Sequence, residues 1–177
     1  MTEIICTGYG GQGVLVIGHI LAFAGMTAGN KVTWYPSYGS EMRGGTANCN
    51  VKIDTDEIAS PYVKAPDILI SMNEVSLEKF EKLVKPGGVI IVNSSLCDEN
   101  RVFRSDVRVV KVPANDIAND MGNSKGGNIA MLGAAVKASG AFELQQFAGA
   151  IDGFFAQKGK FNPKNVLCFE AGAKCAE

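Results

Sequence analysis

Six residues near the start of the chain, Gly8-Tyr9-Gly10-Gly11-Gln12-Gly13, separate a short β-prone run (residues 3–7) from a long apolar run (residues 14–28). Glycine tolerates positive φ and carries no Cβ, so the backbone can turn sharply there and approach another group closely. A helix opening directly after such a turn leaves its first N–H groups unpaired, with the positive end of its dipole beside them. A strand, a glycine turn and a buried helix in that order predict the opening unit of an α/β domain. They also predict a site for an anionic ligand at the turn.

The rest of the chain repeats the alternation. Residues 31–35 read as a second strand, β-branched and aromatic after the turn Gly29-Asn30. Residues 46–53 alternate, with Ala47, Cys49, Val51 and Ile53 on one face, as in a half-exposed antiparallel strand. Residues 68–71, 89–93 and 107–112 are buried-type strands. Asn73 is placed to cap a helix to about Val84, with Val75, Leu77, Phe80 and Leu83 as its inner face. Further helices are expected over 115–121, 126–139, 143–157 and 163–174, the last with proline in its first turn. At 177 residues, without repeats or a linker, the pattern predicts a single domain over 1–177. Its fold is α/β, a Rossmann-like three-layer α/β/α arrangement around a mostly parallel, mixed sheet.

Composition removes several functional classes. A formal net charge of −1 and a pI near 5.9 give no electrostatic reason to expect nucleic acid or an anionic membrane. No apolar run approaches the roughly 20 residues a membrane span requires, and polar Thr2-Glu3 does not open a secretion signal, so a cytoplasmic location is expected. Cys6, Cys49, Cys97, Cys168 and Cys175 are scattered and odd in number, with no Cys-x-x-Cys pair. They predict reduced thiols rather than a disulfide framework, a metal site or an iron–sulfur cluster. Twenty-one glycines against six prolines point to tight backbone sites rather than disorder.

Gly8, Gly10 and Gly13 satisfy the dinucleotide pattern G-x-G-x-x-G, but its second contact is missing. An NAD site needs an acidic residue at the end of the second strand, and none occurs between Glu3 and Glu41; the first arginine that could serve NADP is Arg43. The second strand leads instead into Tyr35-Pro36-Ser37-Tyr38-Gly39-Ser40-Glu41-Met42-Arg43-Gly44-Gly45. That loop suits contact better than core. Arg43 offers a planar fork for phosphate or carboxylate; Glu41 either pairs with Arg43 or meets a ligand. Tyr38 can lie against a partner or cover the first strand, and an aromatic patch around Tyr35, Tyr38 and Met42 is expected to be buried in assembly. Lys125-Gly126-Gly127-Asn128 marks another helix start, with Asn128 read as a cap or turn residue unless it meets a ligand. His19, the one histidine, sits among Ile17, Ile20 and Leu21 as a partly buried structural residue. No nucleophile–base pair or shared carboxylate pair is apparent, so no catalytic residue and no metal ligand is assigned.

In order along the chain, Gly8–Gly13 with Val14, the run from Pro36 to Gly45, Ser60-Pro61 with Pro66-Asp67, and Asn128 with Met131-Leu132-Gly133 resemble the gamma subunit of 2-oxoacid:ferredoxin oxidoreductases. The 2-oxoglutarate and 2-oxoisovalerate branches resemble it more than the pyruvate branch; the corresponding indolepyruvate subunit shares the pattern. The resemblance covers the whole chain, as a pyruvate/ketoisovalerate ferredoxin oxidoreductase gamma-type domain. It implies oxidative decarboxylation of a 2-oxoacid with coenzyme A, giving acyl-CoA, carbon dioxide and reduced ferredoxin. It implies too that thiamine diphosphate, Mg and iron–sulfur clusters belong to partner alpha and beta subunits and a ferredoxin-like delta subunit, this chain binding none alone. On that reading Gly8, Gly10, Gly11, Gln12, Gly13, Tyr38, Glu41, Arg43, Gly44, Gly45 and Asn128 are the candidate contacts to coenzyme A or to a partner chain. A stand-alone nucleotide-binding oxidoreductase and a ligand-free scaffold are the alternatives.

Overall fold

The computed structural model describes residues 1–38 and 45–177, with Tyr38 described in its backbone alone. The elements are β1 (Thr2–Tyr9), α1 (Val14–Thr27), β2 (Lys31–Tyr38), β3 (Thr46–Asp54), β4 (Ile68–Ser71), α2 (Glu74–Phe80), β5 (Val89–Asn93), β6 (Arg108–Val112), α3 (Ala114–Asp120), α4 (Gly127–Ser139), α5 (Leu144–Gln157) and α6 (Lys164–Lys174). The strands form one six-stranded sheet in the order β2-β3-β1-β4-β5-β6. β1 pairs in parallel with β4, β4 with β5 and β5 with β6, whereas β3 is antiparallel to both β1 and β2. Reversal of β3 leaves the carboxyl ends of the other five described strands on one edge.

Apolar side chains cover both faces, which explains the uninterrupted hydrophobic runs of β1, β4 and β5. Successive residues alternate between two cores. Ile4 and Cys6 join the larger one, packed with α1, α4, α5 and α6, while Ile5 joins the smaller with Leu69, Leu77, Ile90 and Val92. Ala47, Cys49, Val51 and Ile53 are buried on one face of β3 as the alternation predicts. α4 is buried from Asn128 to Val136, so its sequence carries no polar face. Gly133 and Gly172 let α4 and α6 touch backbone to backbone: a Cβ on Gly133 would enter the Phe169 carbonyl, and one on Gly172 the Ala130 carbonyl.

Three local expectations change. β2 runs three residues further than 31–35 and includes Pro36, opposite Cys49. A proline lacks the N–H that a central strand needs, and β2 tolerates it because it is the edge strand. Asn73 caps α2 as predicted, its Oδ1 accepting from Ser76 N at 2.9 Å. The inner face differs, however: Leu77 is buried and Phe80 half-buried, but Val75 is 52% and Leu83 37% exposed. The helix ends at Phe80 and tightens into a 3-10 turn over Glu81–Leu83. At three residues per turn the phase advances faster than in an α-helix, bringing Glu81 and Val84 inward instead. Finally, Pro163 stands at the cap of α6 rather than inside its first turn.

All five cysteines are free, and Cys6, Cys49 and Cys168 are buried. His19 is half-buried with its ring 4.0 Å from that of Trp34. Burial, then the nearby Lys158 charge, holds its pKa below the usual histidine value.

Candidate functional site

β1 delivers the glycine turn to the carboxyl edge of the sheet, and each constraint there has a neighbour that imposes it. A Cβ on Gly8 would lie 2.8 Å from Gln12 Oε1, the Met72 Cβ and the Val14 Cγ2. Gly11 and Gly13 take φ of 98° and 77°, in the region that L side chains avoid. Gly10 N donates to Gly45 O at 2.9 Å, so the turn is tied to the start of β3. The Gly45 end of the Tyr35–Gly45 loop therefore meets the glycine turn. Tyr38 lies in β2 opposite Ala47. Glu41, Arg43 and Gly44 lie outside the described residues, as does the side chain of Tyr38.

Between β1 and β4 the chain order reverses direction across the sheet, the kind of switch point where open α/β sheets form a crevice. Gln12 closes its floor. Its Oε1 accepts from Tyr9 N at 2.7 Å and Asn73 Nδ2 at 2.8 Å, and its Nε2 donates to Met72 O at 3.5 Å. Asn93 Nδ2 donates to the same Met72 O at 3.3 Å and to Asn115 Oδ1 at 3.1 Å, while its Oδ1 accepts from Ala114 N at 3.2 Å. Neutral amides thus lace together the ends of three strands and the start of α3.

Asn128 lies in the first turn of α4 and donates from Nδ2 to Gly13 O at 3.3 Å. It is 7% exposed, and its Oδ1 is buried with no hydrogen-bond partner. Read from sequence as a cap or turn residue, it instead bridges two helices; α4 has no side-chain cap. α1 has none either, and neither helix has an acidic residue in its first turn. A Cβ on Gly13 would strike the Asn128 amide, so glycine permits this junction. Two positive helix ends therefore adjoin without side-chain neutralisation.

Above the junction opens a cleft of about 650 Å³. Gly11, Gln12 and Gly13 line it on one side and Asn128 beneath. Lys160, Asn162, Asn115, Asn119 and Phe155 also line it, and no sequence motif singles them out. Their only signals are the spacing of Asn115, Asn119 and Asn123 and the turn Gly159-Lys160-Phe161-Asn162, neither of which names a ligand. The described lining contains no Asp or Glu, and Lys125 and Lys160 both lie on it. Among the described residues neither lysine has an ion-pair partner. Among the described residues, also, no group of three or more His, Cys, Asp or Glu side chains is placed to hold a metal ion. Cleft and helix ends together favour an anion that carries hydrogen-bond donors for Asn128 Oδ1.

Carboxylates cluster elsewhere. Glu3 pairs with Lys52 at 3.0 Å and Lys85 at 2.9 Å, and Lys85 also meets Asp67 at 2.8 Å. Burial works to raise the Glu3 carboxyl, but hydrogen bonds from the two lysines outweigh it and hold it below the ordinary range. Arg101 binds Glu74 and Glu81, and Arg104 binds Asp106 at 2.6 Å. These pairs brace the opposite end and the second face of the sheet.

Comparison with known proteins agrees with the fold and the order of motifs. Residues 3–175 match the family model described as pyruvate ferredoxin/flavodoxin oxidoreductase. Ketoisovalerate oxidoreductase subunit VorA of Methanothermobacter marburgensis is 39% identical over 171 residues, 96% of this chain and 35% of that protein. The chain thus spans about a third of the length of VorA. 2-Oxoglutarate synthase subunit KorC of Methanocaldococcus jannaschii is 33% identical over 177 residues, 99% of this chain and 94% of the relative. The crystal structure of a keto/oxoacid ferredoxin oxidoreductase gamma subunit from Geobacter sulfurreducens superposes with a TM-score of 0.80 at 26% identity, over 99% of this chain and 98% of that one. The chain belongs to the pyruvate ferredoxin/flavodoxin oxidoreductase family.

Proposed function

We propose that this chain is the gamma-type subunit of a cytoplasmic 2-oxoacid:ferredoxin oxidoreductase acting on 2-oxoglutarate or a branched-chain 2-oxoacid, and that its cleft binds phosphate groups of coenzyme A. The overall reaction joins the acyl group to coenzyme A, releases carbon dioxide and passes electrons to ferredoxin. Alpha and beta chains, with a ferredoxin-like delta chain, supply thiamine diphosphate, Mg and the iron–sulfur clusters. The described residues of this chain offer no cluster ligand set.

The observation that carries the reading is the meeting of α1 and α4 at Gly13 and Asn128, below a cleft with two lysines and no described carboxylate. Unpaired N–H groups of both helices and Lys125 with Lys160 suit phosphate. The orphaned Asn128 Oδ1 suits a hydroxyl or amino donor on the same ligand. Gly45 is held by Gly10 at the same edge of the sheet, and its neighbours in sequence, Tyr38, Glu41, Arg43 and Gly44, complete the proposed set of contacts. This chain binds and orients; it does not transfer protons.

The test is purification of the tagged chain from its native cells without oxygen, followed by coenzyme A-dependent viologen reduction on individual 2-oxoacids. Co-purified thiamine- and cluster-binding chains support the subunit reading, and a clean monomer refutes it. In the intact complex, replacing both Lys125 and Lys160 by alanine should raise the KM for coenzyme A by about ten-fold with kcat little changed. An unchanged KM, in these variants and in Arg43→Ala, refutes the phosphate contact.

A further inference from the structure

The two edges of the sheet are finished differently. β6 is guarded: Arg108 and Lys111 lie along it, Lys111 Nζ donates to Glu99 O at 3.2 Å, and Arg108 donates to Ala176 O at 2.9 Å. Charged side chains and tethered crossings of this kind keep an edge from pairing with another chain. β2 has eight residues and no charge from Val32 to Tyr38. Its single cation, Lys31, is engaged by Glu57 at 3.0 Å. No backbone hydrogen bond from another described segment reaches its outer side. Pro36 is its one described interruption.

Beside that open edge stands an aromatic pair. Tyr35 and Tyr62 lie with ring centroids 4.8 Å apart and hydroxyls 3.5 Å apart, yet remain 38% and 55% exposed. Tyr35 points to the face of the smaller core, where β2 and β3 have no helix over them. Aromatic steps of this sort anchor interfaces because they present a large rigid area with few rotatable bonds.

We infer that β2 is completed by an extended, uncharged strand of a partner chain, which pairs with its open backbone and packs an apolar or proline side chain against Tyr35 and Tyr62. The occupant follows from the family's chain lengths. In VorA the matched segment is only 35% of the protein, so roughly two-thirds of that chain is available to fold against it. The counterpart of that region is the partner proposed here, a reading that rests on the subunit assignment above. Main-chain pairing supplies affinity in such additions, and alternate side chains supply selectivity.

Hydrogen exchange on the purified native complex, read by mass spectrometry, tests this directly, with β6 as the reference in the same molecule. The amides of residues 32–38 that point away from β3, Pro36 having none, should exchange at least ten-fold more slowly than the outer amides of β6. Cross-linking should join residues near Tyr35 to the partner chain. The double variant Tyr35→Ala/Tyr62→Ala should dissociate from the complex at least about ten-fold faster. A complex in which β2 exchanges as freely as β6, or cross-links from Tyr35 only to a second copy of this chain, overturns the inference and leaves the subunit assignment standing. Absence of any co-purified partner overturns both. Should the double variant fold poorly by its melting curve, wild-type exchange and cross-linking decide alone.

Discussion

Gly13→Ala measures how tightly the candidate site is built. Gly13 has φ 77° and ψ 21°, a left-handed conformation that costs an alanine roughly 1–2 kcal/mol. Its added Cβ would also strike the Asn128 side chain and displace the hydrogen bond at 3.3 Å, a further loss of about 1 kcal/mol. The sum, about 2–3 kcal/mol, should lower Tm by roughly 5–10 °C for a chain of this size. Gly11→Ala is the control. With φ 98° it carries the backbone strain, but nothing lies within 4 Å of its new Cβ, so it should cost only about 1–2 kcal/mol. In a double-mutant cycle, Asn128→Ala should relieve part of the Gly13→Ala penalty, with a coupling of about 1 kcal/mol. Urea melts of the four chains of the cycle and of Gly11→Ala decide it. Equal costs for Gly11→Ala and Gly13→Ala, or strict additivity with Asn128→Ala, would refute the contact between the two helix starts.

Other consequences follow from packing and charge. Gly133→Ala should cost about 3 kcal/mol or more, because the obstacle is the Phe169 carbonyl and backbone cannot rotate away; Gly149→Ala, with open space around it in α5, should instead stabilise by about 0.5–1 kcal/mol, both read as urea midpoints. Burial, then the Glu74 carboxylate, pushes the Cys97 thiol up to about 12, so at pH 8 iodoacetamide should label it about a thousand-fold more slowly than a free thiol, and Glu74→Gln should speed labelling. The Glu3 carboxyl titrates below its unfolded value of about 4.3, so its stabilisation is complete above that pH and lost as pH falls through the folded value. The Tm difference between wild type and Glu3→Gln should therefore be largest near pH 7 and shrink below about pH 4; a difference independent of pH would sink the assignment.

The elements most legible in sequence are those fixed by short-range physics. β4 and β5 end where the apolar run meets a cap or turn, at Ser71 before Asn73 and at Asn93, and their bounds match expectation. Helix starts were legible for the same reason. The sequence pattern ends β2 at Tyr35, before a proline and a glycine-rich stretch, and only the sheet order shows that β2 occupies an edge where proline is tolerated. Leu83 falls inward on a constant helical period, which the 3-10 turn after Phe80 breaks; Val75 lies two residues, about 200° of helix, from buried Leu77 and so faces out. The site divided in the same manner. The glycine turn announced itself through residues that only unusual backbone requires. The pairing of Gly13 with Asn128 spans 115 residues, and no local pattern encodes it. Lys160 and Asn162 reach the cleft only because α5 returns along α1, a tertiary fact.

What the site lacks follows from how its floor is made. An enzyme using a switch-point crevice for acid–base chemistry leaves titratable groups at the strand ends. Here those positions are filled by Gln12, Asn73, Asn93 and Asn115, amides that saturate one another and the backbone. The titratable side chains among the described lining are Lys125 and Lys160, both solvent-facing. Such an edge can hold an anion and fix its orientation, since amides and helix ends keep their charge state at every working pH. On the function proposed above, a subunit built in this way contributes binding energy and geometry, and its variants should move KM and assembly before they move kcat.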